Sequence, residues 1–272
     1  MIDVKDMLKG YNSEIANMSK EEIQAELMRL QIETYNASVG DLDKEDGLDC
    51  PKCKNKGWVQ LLINGYVKMR KCGCVERRNV IMRAKRSGLG EYLDKDVDDY
   101  QVTEQWQANC KAALQDFIEN HSKDNTWFLA LGTSGCGKTL MCSIIANHLL
   151  YDEGRAVSYV TWTDFISRLK RDVMGDKTNK VSEYLEEIKK VDVLFLDELV
   201  KKYNETDLKY LIEIINYRYT NNLKTIITSE RVLDDLLDID EATFGRAVEK
   251  CEGYLINIPK DRSKNYRLRA LR

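Results

Sequence analysis

In residues 103–229, apolar and polar residues alternate in blocks that have the lengths of strands and helices. Short apolar runs are typical of strands buried on both faces of a sheet, and apolar residues every three or four positions are typical of covering helices. The pattern predicts strands at 126–131, 156–160, 191–196 and 224–229. It predicts helices at 103–120, 138–151, 163–173, 181–189 and 205–221. Such alternation predicts an α/β fold with a parallel sheet flanked by helices.

The first ninety residues follow a different pattern. Ser19 and Glu22 have the spacing of a capping box, which predicts a helix to about Asn36, and a shorter helix is predicted over 4–12. Too few apolar residues precede position 40 to close a core alone. We therefore predict a helical and metal-binding domain at 1–90, an acidic linker at 91–102 and an ATPase domain at 103–272.

Four cysteines dominate the N-terminal domain: Cys50 and Cys53 form one pair, Cys72 and Cys74 a second. The residues between the pairs predict a hairpin that turns at Asn64-Gly65, and a helix is predicted over 75–87. Four thiolates brought together in this way suit tetrahedral Zn²⁺ in a structural site. The second pair is shorter than the usual C-x₂-C, so an iron–sulfur cluster and free cysteines remain alternatives.

The segment between the first predicted strand and the next helix matches the phosphate-binding pattern G-x-x-x-x-G-K-[ST]. Backbone N–H groups of such a loop wrap a polyphosphate, and the following helix N-terminus adds positive potential. The pattern predicts that Lys138 reaches the β- and γ-phosphates and that Thr139 ligates Mg²⁺. The predicted nucleotide-binding residues are Gly132, Thr133, Ser134, Gly135, Cys136, Gly137, Lys138, Thr139 and Leu140.

A second acidic motif follows the predicted strand 191–196. Asp197 at the end of that strand is placed to hold the Mg²⁺ that Thr139 contacts, and Glu198 is placed to activate the attacking water. This is a Walker B pattern. Together with the phosphate loop it predicts a Mg²⁺-dependent ATPase, with Lys138, Asp197 and Glu198 as catalytic residues.

Composition adds two basic regions to this picture. The formal net charge is only −3, from 42 Lys and Arg against 45 Asp and Glu. Residues 50–90 nevertheless carry eleven Lys or Arg against the single Glu76, and residues 260–272 carry six against Asp261. Such surfaces suit phosphate backbones or acidic protein faces. No apolar stretch approaches 18 residues and no signal peptide is evident, so we expect a cytoplasmic protein.

With these motifs in this order, the chain resembles the DnaC/DnaI-type bacterial or phage replicative helicase loaders, which belong to the initiator group of AAA+ ATPases. The resemblance covers roughly residues 95–272, and residues 1–90 resemble the zinc-binding, helicase-contacting domain of the DnaI branch. It implies a role for Ser229 or Thr228 as sensor 1, for Arg246 as an arginine finger in a neighbouring subunit's site, and for Arg267 as a nucleotide sensor in cis. Asn265 stands where the family has Ser, and related proteins often have Asn at the sensor 1 position.

The resemblance also implies partners. It implies a replicative hexameric helicase, self-association through the AAA+ domain, and single-stranded DNA. The helix at 163–173 lines the DNA path in initiator proteins, and Phe165 beside basic residues would suit base stacking and phosphate contacts. The candidate DNA contacts are Arg168, Lys170 and Arg171.

Two other functions fit part of the same residues. A transposition helper ATPase of the IstB type would have a nearly identical catalytic core but no need for the cysteine module. A non-catalytic adaptor would recruit partners through zinc, although intact Lys138, Thr139, Asp197 and Glu198 argue against it. The sequence leaves open the origin of the protein, its subunit number and whether Thr228 or Ser229 is sensor 1.

Overall fold

The computed structural model describes residues 18–86, 90–175 and 178–271. The predicted helix at 4–12 lies outside these ranges. The chain divides into two compact units, residues 1–78 and 79–272. The boundary therefore falls at 78/79 and not at residue 90, and the segment 91–102 lies in the second unit.

The first unit contains a long helix, a hairpin and the four cysteines. The capping box of Ser19 and Glu22 is present, and the hairpin turns where Asn64-Gly65 predicts it. These two predictions are confirmed. The elements are α1 (Lys20–Ala37), α2 (Asp43–Asp46), β1 (Trp58–Ile63), β2 (Tyr66–Lys71) and α3 (Cys74–Arg86), the last of which spans the boundary.

Side chains tie the end of α1 to the hairpin. The Asn36 side chain donates to the carbonyl of Gln60 and accepts from its N–H, both at 2.9 Å. It therefore satisfies both backbone hydrogen-bonding groups of Gln60, which lie on the free edge of β1. Lys54 and Lys56 donate to carbonyls at the C-terminal end of α1 and just beyond it. Cations at this position also complement the helix dipole.

The second unit is built on a five-stranded parallel sheet with the strand order β4-β5-β6-β3-β7. Its strands are β3 (Phe128–Gly132), β4 (Val157–Thr161), β5 (Val193–Asp197), β6 (Lys224–Ser229) and β7 (Leu255–Ile258). Every residue of β3, β5 and β6 is buried, as expected for a sheet covered by helices on both faces. The four predicted strands are confirmed, and β7 extends the sheet beyond them.

Helices cover both faces of this sheet, as the pattern predicts. The helices are α4 (Gln105–His121), α5 (Lys138–Tyr151), α6 (Trp162–Met174), α7 (Thr178–Lys190), α8 (Glu205–Thr220), α9 (Leu233–Leu237) and α10 (Glu241–Lys250). The phosphate loop follows β3, an interior strand that pairs with β6 on one side and β7 on the other, which is the arrangement of a P-loop fold. None of the described helices combines the length and the apolar character that crossing a bilayer requires.

The segment 91–102 is folded and does not have the structure of a linker. It contains two short 3₁₀ helices, Gly90–Tyr92 and Val97–Asp99, and Asp96 caps the second with its carboxylate. Asn147 of α5 donates to the carbonyls of Tyr92 and Lys95, at 2.7 and 3.0 Å. Asp96 and Asp99 therefore form a capping box, and the segment packs on α5.

Two buried cations stabilise the sheet at the amino ends of its strands. Lys224 donates to the carbonyls of His121 and Thr126, and Arg218 donates to five backbone carbonyls and to the Thr225 hydroxyl. Burial lowers the pKa of Lys224 to about 8 and that of Arg218 to about 9. Both lie at the opposite end of the strands from the phosphate loop.

Candidate nucleotide and metal sites

Glycines form the phosphate loop because its backbone needs left-handed conformations. Gly132, Gly135 and Gly137 have φ values of 116°, 72° and 88°, which are costly for residues with a Cβ. At Gly132 a Cβ would also lie 1.8 Å from the carbonyl oxygen of Ile258. The loop leads directly into α5, whose N-terminal N–H groups are a ready site for phosphate oxygens.

The predicted magnesium ligands lie together. Thr139 Oγ1 is 3.0 Å from one carboxylate oxygen of Asp197 and 3.3 Å from the other. Burial raises the pKa of the Asp197 carboxyl, while hydrogen bonds from Thr228 and Thr139 act in the opposite direction. A hydroxyl and a buried carboxylate at the end of adjacent elements are the oxygen ligands that Mg²⁺ takes beside a nucleotide.

The loop that carries Glu198 is held by the end of β6. Glu198 has φ 54° and Val200 φ 48°, conformations that are strained for residues with a Cβ. The Thr228 hydroxyl accepts from the Glu198 N–H at 3.0 Å and donates to Asp197. Ser229 donates to the Leu199 carbonyl at 2.8 Å. The two sensor 1 candidates therefore fix the acidic loop, and only Thr228 touches a predicted catalytic side chain.

Lys201 lies next to the predicted water-activating carboxylate. Its Nζ is 2.9 Å from Glu198 Oε1 and 3.5 Å from Glu230 Oε1. The ion pair with Glu198 is about two-fifths exposed on both sides. Sequence reasoning did not identify Lys201, because a lysine in a polar turn carries no motif signal.

We predict that Lys201→Met raises the basal ATPase rate by at most about 5-fold, because a half-exposed ion pair is worth about 0–1 kcal/mol and its loss frees Glu198 for the water. Phosphate release at saturating ATP measures the effect. Glu230→Gln is the matched control, since it removes the other partner of Lys201 and leaves the Glu198 pair intact. A rate that falls tenfold would show that Lys201 supports turnover and does not restrain it.

A cavity of about 470 Å³ opens beside the phosphate loop. The predicted residues that line it run from Ser134 to Leu140 and include Glu198, Thr228, Ser229 and Arg267. Sequence reasoning missed the lining residues from the supposed linker and from α4, since no motif marks them. They are Tyr92, Asp99, Tyr100, Gln101, Trp106 and Gln107, together with Glu230 and Tyr266.

The C-terminal segment contacts the phosphate loop directly. The Tyr266 N–H donates to the Gly135 carbonyl at 2.9 Å, and its hydroxyl donates to Gln101 at 2.8 Å. The Asn265 carboxamide packs against Gly135 so closely that a Cβ there would lie 2.1 Å from its oxygen. This contact places Arg267 at the cavity and gives Asn265 a packing role that serine would not reproduce.

Arg246 and the candidate DNA contacts lie outside this cavity. Arg246, on α10, donates to Asn216 at 2.7 Å.

The candidate DNA contacts lie on α6. Arg168 stacks on the Tyr184 ring at 3.6 Å, and Lys170 pairs with Asp207 at 2.9 Å. Arg171 is exposed. Phe165 is fully buried, so it belongs to the core and base stacking on it, as the sequence suggested, is wrong.

The four cysteines of the first unit form one buried cluster. Their sulfur atoms all lie within 4.8 Å of one another, with Cys53 and Cys74 at 3.5 Å and Cys50 and Cys72 at 3.9 Å. A tetrahedron with metal–sulfur bonds of about 2.3 Å has sulfur–sulfur edges of about 3.8 Å. The thiolates therefore fit a zinc ion.

The surroundings of the cluster support this fit. The Gly57 N–H donates to Cys53 Sγ at 3.3 Å, as expected for a sulfur that carries negative charge. Arg78 is buried next to the cluster, where it donates to Asp46 and Asn55. The Asn55 oxygen also accepts from the Cys50 N–H at 2.8 Å, which fixes the first cysteine knuckle.

The chain is similar to several known proteins. The chain is 28% identical over 247 residues to the phage-like element PBSX protein XkdC of Bacillus subtilis, covering 82% of this chain and 88% of that protein. It is 26% identical over 176 residues to the replicative helicase loader DnaC of Buchnera aphidicola, covering 58% and 71%. A crystal structure of DnaI matches 62% of this chain and 92% of its own, with 24% identity and a TM-score of 0.49.

The family model for IstB-like ATP-binding proteins matches residues 61–248. This range includes the phosphate loop, the acidic loop and all of the sheet except β7, and it exceeds half of the 272 residues. The chain belongs to the family of IstB-like ATP-binding proteins and is an AAA+ ATPase.

Proposed function

We propose that the protein is an ATP-dependent loader that places a replicative hexameric helicase on single-stranded DNA during replication initiation. The observation that carries the proposal is the four-cysteine unit, whose first knuckle, at 50–53, precedes the residues that the IstB-like family model matches. In a loader, this unit would hold the helicase. The similarity to proteins named replicative helicase loader DnaC supports the same function.

In the proposed mechanism each predicted residue has one task. Lys138 holds the β- and γ-phosphates, and Thr139 with Asp197 holds Mg²⁺. When bound, Mg²⁺ neutralises charge on the phosphate oxygens. Glu198 accepts a proton from the attacking water. Lys138 now donates to the carbonyls of Gly132 and Thr133, at 2.9 and 2.7 Å, so phosphate binding exchanges these acceptors for phosphate oxygens.

Arg246 acts between subunits in this proposal, because it does not line the cavity of its own chain. Its partner Asn216 is neutral, which leaves the guanidinium charge available to a neighbouring subunit's phosphate.

We predict that Arg246→Ala leaves ATP affinity unchanged and lowers the ATPase rate of the assembled protein about 10³-fold or more, as for an arginine finger. A mixture of Arg246→Ala and Glu198→Gln subunits should recover part of the activity, since each supplies what the other lacks. No recovery would place Arg246 outside the neighbour's site.

DNA binding by the ATPase unit falls mainly on Arg171. Of the three candidates on α6, Arg168 and Lys170 already have partners, which a phosphate would have to displace. Backbone contacts of this kind make binding sensitive to salt and indifferent to sequence.

Native mass spectrometry tests the loader function. The protein is mixed with the replicative helicase of its own cell, in ATP or a non-hydrolysable analogue, and the mass of the complex is measured. We expect a defined helicase–loader assembly that is lost in the Cys50→Ser, Cys53→Ser variant. Cys110→Ala is the matched control, because Cys110 is a buried cysteine of α4 and is not one of the four clustered cysteines.

A transposition helper ATPase is the second candidate, and the IstB-like family match favours it. Absence of any complex with the helicase under every nucleotide condition would support this function. The next partner to mix with the protein would then be a transposase with double-stranded DNA.

A further inference from the structure

Strand β2 has three exposed side chains on one face. Tyr66, Lys68 and Arg70 alternate with Val67 and Met69, so they project on the same side of the hairpin. Tyr66 is 71% exposed. Among the described residues, none of the three has a hydrogen-bond, ion-pair or ring partner. Successive members are about 6.8 Å apart along the strand.

Three other basic residues nearby have contacts within the first unit. Lys71 pairs with Glu76 at 2.8 Å, and Lys54 and Lys56 bind carbonyls around the end of α1. Lys68 and Arg70 have no such contact among the described residues and are available to bind a ligand. Opposite them on β1 stand Leu61 and Val59, so their aliphatic stems lie beside apolar side chains and their charged ends face outward.

The hairpin and the two cysteine pairs that flank it carry charge of one sign. Residues 50–75 contain six Lys or Arg and no Asp or Glu. A protein partner of mixed charge would be expected to meet both signs, whereas a phosphate backbone needs only this one. An exposed aromatic ring beside such cations provides a surface on which a base can stack.

We infer that the Tyr66, Lys68 and Arg70 face of the hairpin binds single-stranded nucleic acid. Tyr66 stacks on a base, and Lys68 and Arg70 neutralise successive phosphates of an extended strand, whose repeat is comparable to the spacing of alternate residues on β2. This site is separate from the helix α6 contacts and lies in the unit that carries the cysteine cluster. It does not depend on the loader function.

The test is fluorescence anisotropy of a labelled 20-nucleotide oligo-dT with the full chain, repeated across salt concentrations and without helicase. Lys68→Gln, Arg70→Gln should weaken binding about 10-fold or more near 0.1 M salt and reduce the slope of log Kd against log salt by about 1.4, since each single-strand phosphate contact contributes about 0.7. Tyr66→Ala should weaken binding at least about 5-fold with the slope unchanged, because stacking releases no counter-ions.

Two matched variants complete the design. Lys68→Arg, Arg70→Lys keeps both charges and should bind as the parent does. Lys20→Gln, Arg29→Gln removes the same charge from α1, whose neighbouring glutamates offset it, and should leave the slope unchanged. Zinc content is measured for each variant to show that the first unit is folded.

An unchanged slope in Lys68→Gln, Arg70→Gln would overturn the inference. So would unchanged DNA binding accompanied by loss of the helicase complex, which would make this face a protein contact. Neither result bears on ATP hydrolysis. An unchanged salt slope would not contradict the proposed loader function either, because that function is tested by the mass of the helicase complex.

Discussion

Replacing Glu198 with Gln should leave ATP binding intact and lower kcat by at least about 100-fold, the usual loss when a general base is removed. Gln has nearly the same size as Glu and its amide oxygen can still accept from Lys201, but it cannot take a proton from water. Lys138, Thr139 and Asp197 keep their contacts, so the nucleotide still binds. Phosphate release gives the rate, and equilibrium binding of a fluorescent ATP analogue gives the affinity.

Glu230→Gln is the matched control, because it makes the same change of charge at a different position of the cavity. Glu230 lines the same cavity and approaches the same Lys201, at 3.5 Å. It should change the rate by less than about 5-fold, because its contacts are a partly exposed ion pair with Lys201 and a hydrogen bond with Ser134. Equal losses in the two variants, or normal turnover in Glu198→Gln, would remove Glu198 from the proposed mechanism.

Removing the metal should unfold the first unit. In small zinc modules the apparent binding free energy is about 10–16 kcal/mol, which the hairpin and one helix cannot replace. Cys50→Ser, Cys53→Ser, or a chelator, should therefore abolish zinc binding and make residues 18–71 sensitive to protease. Metal analysis and limited proteolysis with mass identification of the fragments measure both effects.

The second unit should survive that treatment. Its sheet and core contain none of the four cysteines, and the two sets of buried residues form separate clusters, so basal ATPase activity without partners should stay within about twofold. Cys110→Ala should keep the metal. Full protection of the hairpin after zinc removal would mean that the cluster is not a structural metal site.

Short-range signals predicted much of the fold. Helix α5 and strand β6 begin and end where the pattern places them. The phosphate loop fixes the start of α5, and every residue of β6 is buried. The hairpin turn and the capping box of α1 are equally local. The contact between Thr139 and Asp197 follows from parallel topology, which brings loops at the carboxyl ends of strands together.

Long-range pairing could not be predicted. The acidic segment 91–102 is held by Asn147, which is 55 residues after Tyr92 and 52 after Lys95, and nothing in its composition distinguishes caps from a linker. The charge on Lys224 gives no sign that it is fully buried, since its acceptors His121 and Thr126 lie about one hundred residues earlier. The same limit applies to Phe165, whose burial depends on how α6 meets the sheet.

The contact between Tyr266 and Gly135 has a consequence for the order in which the protein is made. The phosphate loop is translated well before β7 and before the segment that supplies Tyr266 and Arg267 to the cavity wall. While a ribosome is still adding these residues, the nucleotide site lacks one side. A nascent chain that ends at β7 lacks Tyr266 and Arg267 at the nucleotide site, so we expect it to bind ATP less tightly than the full chain does.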